Sequence, residues 1–211
     1  MNRIITIGRE FGSGGRELGK RLSELLGYAY YDKEIIAEIA KRTQLAESYV
    51  QQIIEQKNGF FFPINVGRTL HPAAHASAGE YVMKQYATVY AEQANVLREM
   101  SEKSDCIIVG RCADYILREK KPLRLFVYAD IDSRIERCKQ KGYEGEALDD
   151  KKLRREILRV DKNRAKYYEY YTGRTWGDHS NYDLCINTSR ISVKECAQML
   201  SHMLSTESVH Q

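Results

Sequence analysis

The sequence lacks several features that would place it outside the ordinary globular proteins. It has no apolar run of about 18 residues, the length that a membrane-spanning helix needs. Residues 1–8 contain no long apolar core and no small-residue cleavage site, so a secretory leader is not expected. With three prolines and 14 glycines among 211 residues, collagen-like and low-complexity chains are excluded. We therefore expect a cytoplasmic protein with no membrane partner.

Cysteine is also sparse, and its spacing excludes two kinds of site. The five cysteines are Cys106, Cys112, Cys138, Cys185 and Cys196. They are odd in number and scattered, without a C-x-x-C pair, so neither a disulfide framework nor a zinc site is expected. The net charge of +4 is mildly basic. Such a charge is compatible with binding to nucleic acid and equally with a pocket that binds phosphorylated small molecules.

Short apolar runs rich in β-branched residues alternate with amphipathic stretches. The runs that predict buried strands are residues 4–7, 28–31, 105–110, 123–129 and 182–187. Because parallel strands need helical crossovers, this alternation predicts a parallel sheet of about five strands covered by helices on both faces. We expect one domain over residues 1–211, with a three-layer α/β/α fold.

Residues 57–79 interrupt this pattern. They contain Phe60, Phe61 and Phe62 together with glycines and prolines, and a long helix is predicted only from about residue 80 to residue 103. A loop of this length inside a compact domain is usually functional or mobile. We interpret it as a flap, which either covers a ligand site or contacts a second copy of the chain in a homodimer.

The segment between the first strand and the first helix is rich in glycine. It reads GREFGSGGRE over residues 8–17. Closely spaced glycines let backbone N–H groups surround phosphate oxygens, and the helix N-terminus adds its dipole. The P-loop consensus G-x-x-x-x-G-K-[ST] is not satisfied, because the segment has no lysine and no Ser or Thr follows it. The alternative is a plain strand–turn–helix junction.

Alignment of this loop on the first strand places Gly15 where the consensus has its lysine. One inserted residue places Arg16 there instead, with Glu17 at the hydroxyl position. The guanidinium of Arg16 is able to grip a phosphate, and the carboxylate of Glu17 is able to bind Mg²⁺ directly or through water. The candidate phosphate-binding residues are Gly12, Ser13, Gly14, Gly15, Arg16 and Glu17, with Glu17 as a candidate metal ligand.

Taken together, the motifs of this chain resemble the cytidylate kinase-like family of P-loop nucleoside monophosphate (NMP) kinases, in a branch with a degenerate loop. The resemblance rests on residues 4–17, 30–34, 109–111, 161–164, 176–178 and 182–188. It implies a P-loop NTPase-like core, a mobile NMP-binding insert at residues 57–79 and a mobile lid over about residues 142–178. It also implies transfer of the γ-phosphoryl group of ATP to CMP or dCMP with Mg²⁺, where positioning and positive charge supply the catalysis.

The resemblance assigns two acceptor-binding residues to the carboxyl ends of strands. Asp32 matches an aspartate that opens the nucleoside-binding segment, although it would also serve as the N-cap of a helix starting at Lys33. Arg111 matches the arginine of a Gly-Arg-Asp sequence that contacts the acceptor nucleotide. Cys112 stands here in place of that aspartate, so no acidic residue ends the strand.

A charged helix in the lid region supplies the remaining candidates. Arg155, Arg159 and Arg164 recur at intervals of four and five residues, which keeps them broadly on one side of a helix. By the resemblance, Asp161 helps to read cytosine and Arg164 holds a phosphate of the acceptor. Arg159 and Arg164 join Arg16 as catalytic residues, since arginines stabilise charge in the transition state. The alternative is a solvated, charged helix face.

Tyrosines crowd residues 167–171, close to Arg174 and Trp176. Aromatic rings beside arginines are able to stack on a base. We favour the interpretation that most of these tyrosines pack the lid helix onto the core.

The sequence leaves three functions open. The first is an ATP-dependent kinase acting on a nucleoside monophosphate, with CMP or dCMP as the preferred acceptor. The second is a nucleotide-binding module with weak or no kinase activity, which the missing lysine and hydroxyl favour. The third is a kinase for another small acceptor. ATP and Mg²⁺ are the expected cofactors and nucleotides the expected partners, whereas the scattered basic residues do not predict nucleic-acid binding.

We expect Arg16→Ala to lower phosphoryl transfer by about 100-fold, because a single donor aimed at developing charge contributes on that order. The variant should still fold. Turnover with Mg-ATP checks the first expectation, and the circular dichroism spectrum checks the second. Turnover equal to that of the unchanged protein would remove Arg16 from the site.

Overall fold

Strands and helices alternate along the chain, as the hydrophobic pattern predicts. The computed structural model describes residues 2–55, 72–142 and 149–206. The strands of its sheet are β1 (Ile4–Arg9), β2 (Ala29–Tyr31), β3 (Cys106–Val109), β4 (Leu123–Tyr128) and β5 (Leu184–Asn187). The α-helices are α1 (Gly15–Leu26), α2 (Glu34–Thr43), α3 (Glu47–Glu55), α4 (Pro72–Lys103), α5 (Ala113–Ile116), α6 (Ile131–Gln140), α7 (Asp150–Thr172) and α8 (Val193–Thr206).

The sheet has five strands in the order β2-β3-β1-β4-β5, and every neighbouring pair is parallel. Ile5 of β1 lies opposite Ile107 on one side and Leu123 on the other. The predicted parallel, three-layer α/β/α sheet fold is confirmed. Because β1 is central, the loop that follows it begins in the middle of the carboxyl edge, where open α/β sheets bind their ligands.

Alternate side chains of β1 point to the two faces of the sheet. Ile4 packs with residues of α2, α3 and α4, whereas Ile5 and Ile7 pack with residues of α1 and α8. On α1, Leu18 and Leu22 are fully buried. The leucine stripe ends there, since Leu25 is 53% exposed, and Gly27 then caps the helix in the left-handed conformation.

Helix α4 begins earlier than the sequence pattern indicates. It starts at Pro72, so residues 72–79 are helical and the prediction of a loop is wrong for them, whereas the function of the flap stays a prediction. Proline suits this position because the first turn of a helix needs no N–H donor. Residues 57–71 of the flap lie outside the described residues, as do residues 143–148 of the lid region.

The tyrosines near the end of α7 lie in the core. Tyr167 and Tyr168 are each 4% exposed and pack in the cluster formed with α2–α5. Tyr171 stacks on Tyr90 of α4 with ring centroids 3.9 Å apart. These contacts confirm that the tyrosines pack α7 onto the body of the protein. Across the described helices, none combines the length and the apolar content needed to cross a membrane.

We expect the stability of the fold to decrease at alkaline pH, in part through Tyr30. Burial, and next to it the charge of Asp32, raises the pKa of Tyr30 from 10.0 to about 12. The folded chain therefore keeps a proton that the unfolded chain releases. This contribution is fully present below about pH 10 and is lost as the pH rises toward 12.

Urea unfolding between pH 8 and pH 11 measures this loss. Tyr30→Phe should show a shallower decrease in unfolding free energy than the unchanged protein. Tyr170→Phe is the control, because the Tyr170 side chain is 46% exposed. If Tyr30→Phe and Tyr170→Phe follow the same pH profile, the buried phenol of Tyr30 is not responsible.

Candidate active site

The glycine loop joins β1 to α1 in a conformation that requires its glycines. Gly12 and Gly14 have φ angles of 78° and 88°, in the left-handed region that side chains disfavour. Gly14 occupies the N-cap of α1 and contributes no side-chain cap bond. A helix start without a side-chain cap presents backbone N–H groups and the positive end of the helix dipole. The loop therefore fits a phosphate group.

Side chains from α6 and from the end of β5 hold the outside of this loop. Arg137 donates to the carbonyl oxygen of Gly12 at 2.7 Å and to that of Thr188 at 3.0 Å. The Thr188 hydroxyl donates to the carbonyl oxygen of Ser13 at 2.6 Å. Neither Arg137 nor Thr188 was among the predicted site residues. Their roles depend on tertiary contacts, so no local pattern marks them.

Arg16 was predicted to bind the ATP phosphates and Asp32 to bind the acceptor. In the structure the two side chains are paired with each other. Nε of Arg16 lies 2.8 Å from Oδ2 of Asp32. The Asp32 side chain is 7% exposed and that of Arg16 is 47% exposed. Asp32 does not cap the next helix: the N-cap of α2 is Lys33, and it has no side-chain cap bond. The pair fixes the carboxyl end of β2 to the start of α1.

Glu17, the candidate metal ligand, has two cationic partners. Its carboxylate accepts from Nε of Arg21 at 2.9 Å and from Nζ of Lys141 at 2.6 Å. Across residues 2–55, 72–142 and 149–206, no group of three or more His, Cys, Asp or Glu side chains is placed to hold a metal ion. Mg²⁺ often takes its ligands from substrate phosphates and water, with one or two carboxylates. The role of Glu17 stays a prediction.

Three arginines from distant parts of the chain line one cleft at the carboxyl edge. Arg9 ends β1, Arg111 follows β3, and Arg164 lies on α7. Arg9 is 9% exposed and Arg111 is 7% exposed. The empty volume of the cleft, including the part open to solvent, is about 550 Å³.

Among the described residues, two carboxylates, Glu55 and Asp114, line the cleft with the three arginines, and Oδ1 of Asp161 lies 3.6 Å from Nη1 of Arg164. The guanidinium of Arg111 forms a long ion pair with Glu55, with 3.7 Å between Nη2 and Oε1. Among the described residues, the buried atoms Nε of Arg9 and Nε and Nη2 of Arg111 find no hydrogen-bond partner. Burial lowers the pKa of Arg9, and the charges of Arg164 and Arg111 lower it further. Burial likewise lowers the pKa of Arg164 to about 10.

Such a cluster is costly without an anion, because unpaired charges lose their hydration when they are buried. A bound phosphate would supply the opposite charge and the missing hydrogen-bond acceptors. Arg111 and Arg164 were predicted site residues, and the structure brings them together. Arg9 was missed. Its place two residues after the buried run of residues 4–7 was a signal that could have found it, since ligands bind beyond such strands.

Arg111 lies in a strained turn that other elements hold in place. Gly110, Arg111 and Cys112 have consecutive φ angles of 75°, 61° and 52°, which is rare for residues other than glycine. Nε2 of Gln93, on α4, donates to the carbonyl oxygen of Arg111 at 2.9 Å. The hydroxyl of Tyr167, on α7, donates to Oε1 of Gln93 at 3.2 Å. Strain of this kind occurs at functional sites, where the surroundings determine the backbone.

A carboxylate does lie in the cleft, two residues beyond the position where Cys112 replaces the family aspartate. Asp114 is 8% exposed and lines the cleft. Its Oδ2 accepts from the Tyr168 hydroxyl at 2.6 Å, and burial raises its pKa. The sequence predicted that no acidic residue ends this strand, and that applies to the strand end itself. The turn at residues 110–112 nevertheless brings Asp114 to the cleft.

Asp161 and Arg164 attach α7 to the glycine loop. Oδ1 of Asp161 accepts from the backbone N–H of Phe11 at 2.7 Å, and Oδ2 accepts from Nη1 of Arg134. Nη1 of Arg164 donates to the carbonyl oxygen of Arg9 at 3.1 Å. Burial raises the pKa of Asp161. The charged helix is therefore docked on the loop at these two residues.

Arg159 is not brought to the cleft. Its guanidinium pairs with Glu156 at 2.6 Å, and its side chain is 45% exposed. Arg159 thus lies on the outer side of α7, whereas Arg164, five residues later, faces the loop. The catalytic role of Arg159 stays a prediction. It requires a movement of α7 that brings the guanidinium to the cleft.

A parallel sheet with a glycine loop after its central strand and a cluster of buried arginines beside that loop defines a P-loop kinase-type phosphotransferase. The chain belongs to the cytidylate kinase-like family, whose model matches residues 4–190.

Individual relatives agree with this class. The chain is 25% identical over 207 residues to a cytidylate kinase from Methanopyrus kandleri, with 93% of this chain and 90% of that protein covered. An uncharacterized protein from Eubacterium ventriosum has a similar crystal structure, with a TM-score of 0.68, 26% identity and coverage of 97% and 99%. A shikimate kinase from Bacteroides thetaiotaomicron shares the fold, with a TM-score of 0.54, 16% identity and coverage of 96% and 98%.

We expect Asp161→Ala to lower the free energy of unfolding by about 3 kcal/mol, because it leaves the buried guanidinium of Arg134 without its main partner. Urea denaturation measures this change. The control is Asp150→Ala on the same helix, since Asp150 pairs with Lys139 through a side chain that is 67% exposed. An exposed pair contributes less than about 1 kcal/mol. If Asp161→Ala left stability unchanged and only raised KM for the acceptor, the result would contradict the role of Asp161 in docking α7. It would indicate that Asp161 contacts the acceptor directly.

Proposed function

We propose that the protein transfers the γ-phosphoryl group of ATP to a nucleoside monophosphate, with CMP or dCMP as the acceptor. The observation that carries this proposal is a group of three arginines in a cleft beside the glycine loop, the buried Arg9 and Arg111 and the partly exposed Arg164. Phosphoryl transfer between two nucleotides brings together several phosphates that repel one another. Fixed positive charge in a site of low dielectric offsets this repulsion and stabilises the transition state.

In this proposal the loop holds one phosphate chain and the strand ends hold the other phosphate. Gly12, Ser13, Gly14 and Gly15 surround the ATP phosphates with backbone N–H groups, and Arg16 adds its charge from the first turn of α1. Arg111 and Asp32, at the carboxyl ends of β3 and β2, orient the acceptor. ATP brings Mg²⁺, which neutralises phosphate charge when bound, and Glu17 is the carboxylate proposed to face it.

Helix α7 acts in this proposal as part of a lid over residues 142–178, with residues 57–79 as the NMP-binding insert of a single domain. Arg164 already lies against the loop, and Asp161 fixes its approach. Arg159 would reach the phosphates only after a movement of the helix. Closure of such a lid excludes water, which keeps the phosphoryl group from being lost to hydrolysis.

The cleft also supports an acceptor with a planar base. Aromatic side chains of Tyr167, Trp176 and Tyr182 line it, and such rings stack on bases. The carboxylate of Asp114 is a hydrogen-bond acceptor that suits the exocyclic amino group of cytosine better than the carbonyl oxygen of uracil. Five free cysteines fit a reducing compartment, so we place the reaction in the cytoplasm.

A second candidate function is nucleotide binding with weak or no kinase activity. The observation that favours it is the engagement of Glu17 with Arg21 and Lys141, which leaves the position of the missing hydroxyl occupied by an ion pair. A kinase for another small acceptor is the third, and it shares every feature of the loop with the first. Acceptor assays therefore separate the three.

The first test is ADP formation from Mg-ATP with CMP, dCMP, UMP, AMP or GMP offered one at a time. We expect turnover that depends on CMP or dCMP and is at least about tenfold lower with UMP, since one hydrogen-bond mismatch in a buried site contributes about 1–3 kcal/mol. ATP binding without turnover on any acceptor would favour the second or third function. Absence of ATP binding would mean that the glycine loop is only a turn.

A further inference from the structure

The side chain of Arg9 lies across two glycines. A Cβ atom on Gly15 would lie 2.5 Å from Cβ of Arg9 and 3.0 Å from its Cγ. A Cβ atom on Gly110 would lie 1.7 Å from Nη1 of Arg9. No side chain is compatible with either position while Arg9 keeps this path. The side chain thus runs from the end of β1, over the start of α1, to the turn that carries Arg111.

Within the part of the chain that the structure describes, the charge of Arg9 forms no ion pair that would explain its burial. Arg9 is 9% exposed, and no atom of the described residues is hydrogen-bonded to its buried Nε. The carboxylate with the strongest electrostatic influence on it, Asp32, is paired with Arg16. Arg111 and Arg164 surround it with charge of the same sign. A buried cation in this setting is explained by an anion that occupies the cleft.

The position of Arg9 bears on the lysine that the glycine loop lacks. Alignment of the loop on β1 places Gly15 where the P-loop consensus has lysine, and the structure shows the Arg9 side chain lying over Gly15. We propose that Arg9 takes the place of this lysine and contacts the ATP phosphates from the end of β1. The assignment rests on the proposed function for the identity of the anion. The glycine at position 15 is then the consequence of the exchange, since it makes room for Arg9.

Arg9 would act as a hydrogen-bond donor and a fixed charge, without exchanging a proton. The bond between the γ-phosphorus and the β–γ bridging oxygen breaks, and ADP leaves with its electron pair. A bond forms between the γ-phosphorus and a phosphate oxygen of the acceptor. Negative charge that accumulates on the transferring group and on the leaving oxygen faces the guanidinium.

Arg9→Met tests the role of the charge, because Met preserves much of the length and the apolar packing of the side chain. We expect at least about a 100-fold loss of turnover and about tenfold weaker Mg-ATP binding by calorimetry. The melting temperature should stay the same or rise, since a buried charge without a partner is removed. Arg118→Met is the control, because Arg118 lies outside the cleft with its side chain 47% exposed.

A relocation experiment tests the geometry. Arg9→Gly frees the space above Gly15, so the double variant with Gly15→Lys restores the consensus lysine. We expect the turnover of this double variant to be at least about tenfold higher than that of Arg9→Gly alone. The matched control pairs Arg9→Gly with Gly15→Met, which fills the same space without a charge and should recover nothing. Gly15→Lys alone should be inactive, because its Cβ would collide with Arg9.

The outcomes separate this proposal from the proposed function. If no acceptor supports turnover in the unchanged protein, the kinase proposal fails, while calorimetry with Mg-ATP and with inorganic tripolyphosphate still decides the role of Arg9. Weaker binding of both ligands by Arg9→Met supports the role. Binding and turnover equal to those of the unchanged protein overturn it, and so does a large loss of melting temperature in Arg9→Met with ligand affinity unchanged.

Discussion

The constraint on which the site depends is the concentration of positive charge in a cleft where, among the described residues, three arginines face two carboxylates. Arg9, Arg111 and Arg164 converge at the carboxyl edge of the sheet, where the central strand β1 ends. Buried guanidinium groups of this kind are unfavourable in the empty protein and favourable once an anion binds. Several neighbouring features follow from this constraint, among them the glycines at positions 15 and 110, where any Cβ would meet Arg9.

The surrounding elements hold the charges in place. Asp161 joins α7 to the loop backbone and to Arg134, and its carboxylate lies 3.6 Å from Arg164. Gln93 holds the strained turn of Arg111. Asp161 also partly offsets the charge of Arg164, whereas the contact of Gln93 is to a backbone carbonyl oxygen. The protein therefore positions its arginines firmly while leaving their charge available to a ligand, as phosphoryl transfer requires.

Local pattern was sufficient for most of the fold. The β-branched runs gave the strands, and the parallel sheet followed because alternating helices must cross over it. The sequence pattern gave a wrong prediction where a residue is compatible with two local structures. Pro72 belongs equally to a loop or to the first turn of a helix, and Leu25 continues a leucine spacing that packing does not use. In the site, Arg111 and Arg164 were predicted and found together, whereas Arg159 faces outward.

The sequence by itself determined the strands, the glycine loop and its missing lysine, because hydrophobic periodicity and backbone freedom are properties of neighbouring residues. The tertiary structure decided which charges meet. Arg16 pairs with Asp32, and Arg9 lies over Gly15 and reaches Gly110 about a hundred residues away. Pairing of this kind depends on strand order and on side-chain paths across the sheet edge, which no window of sequence contains.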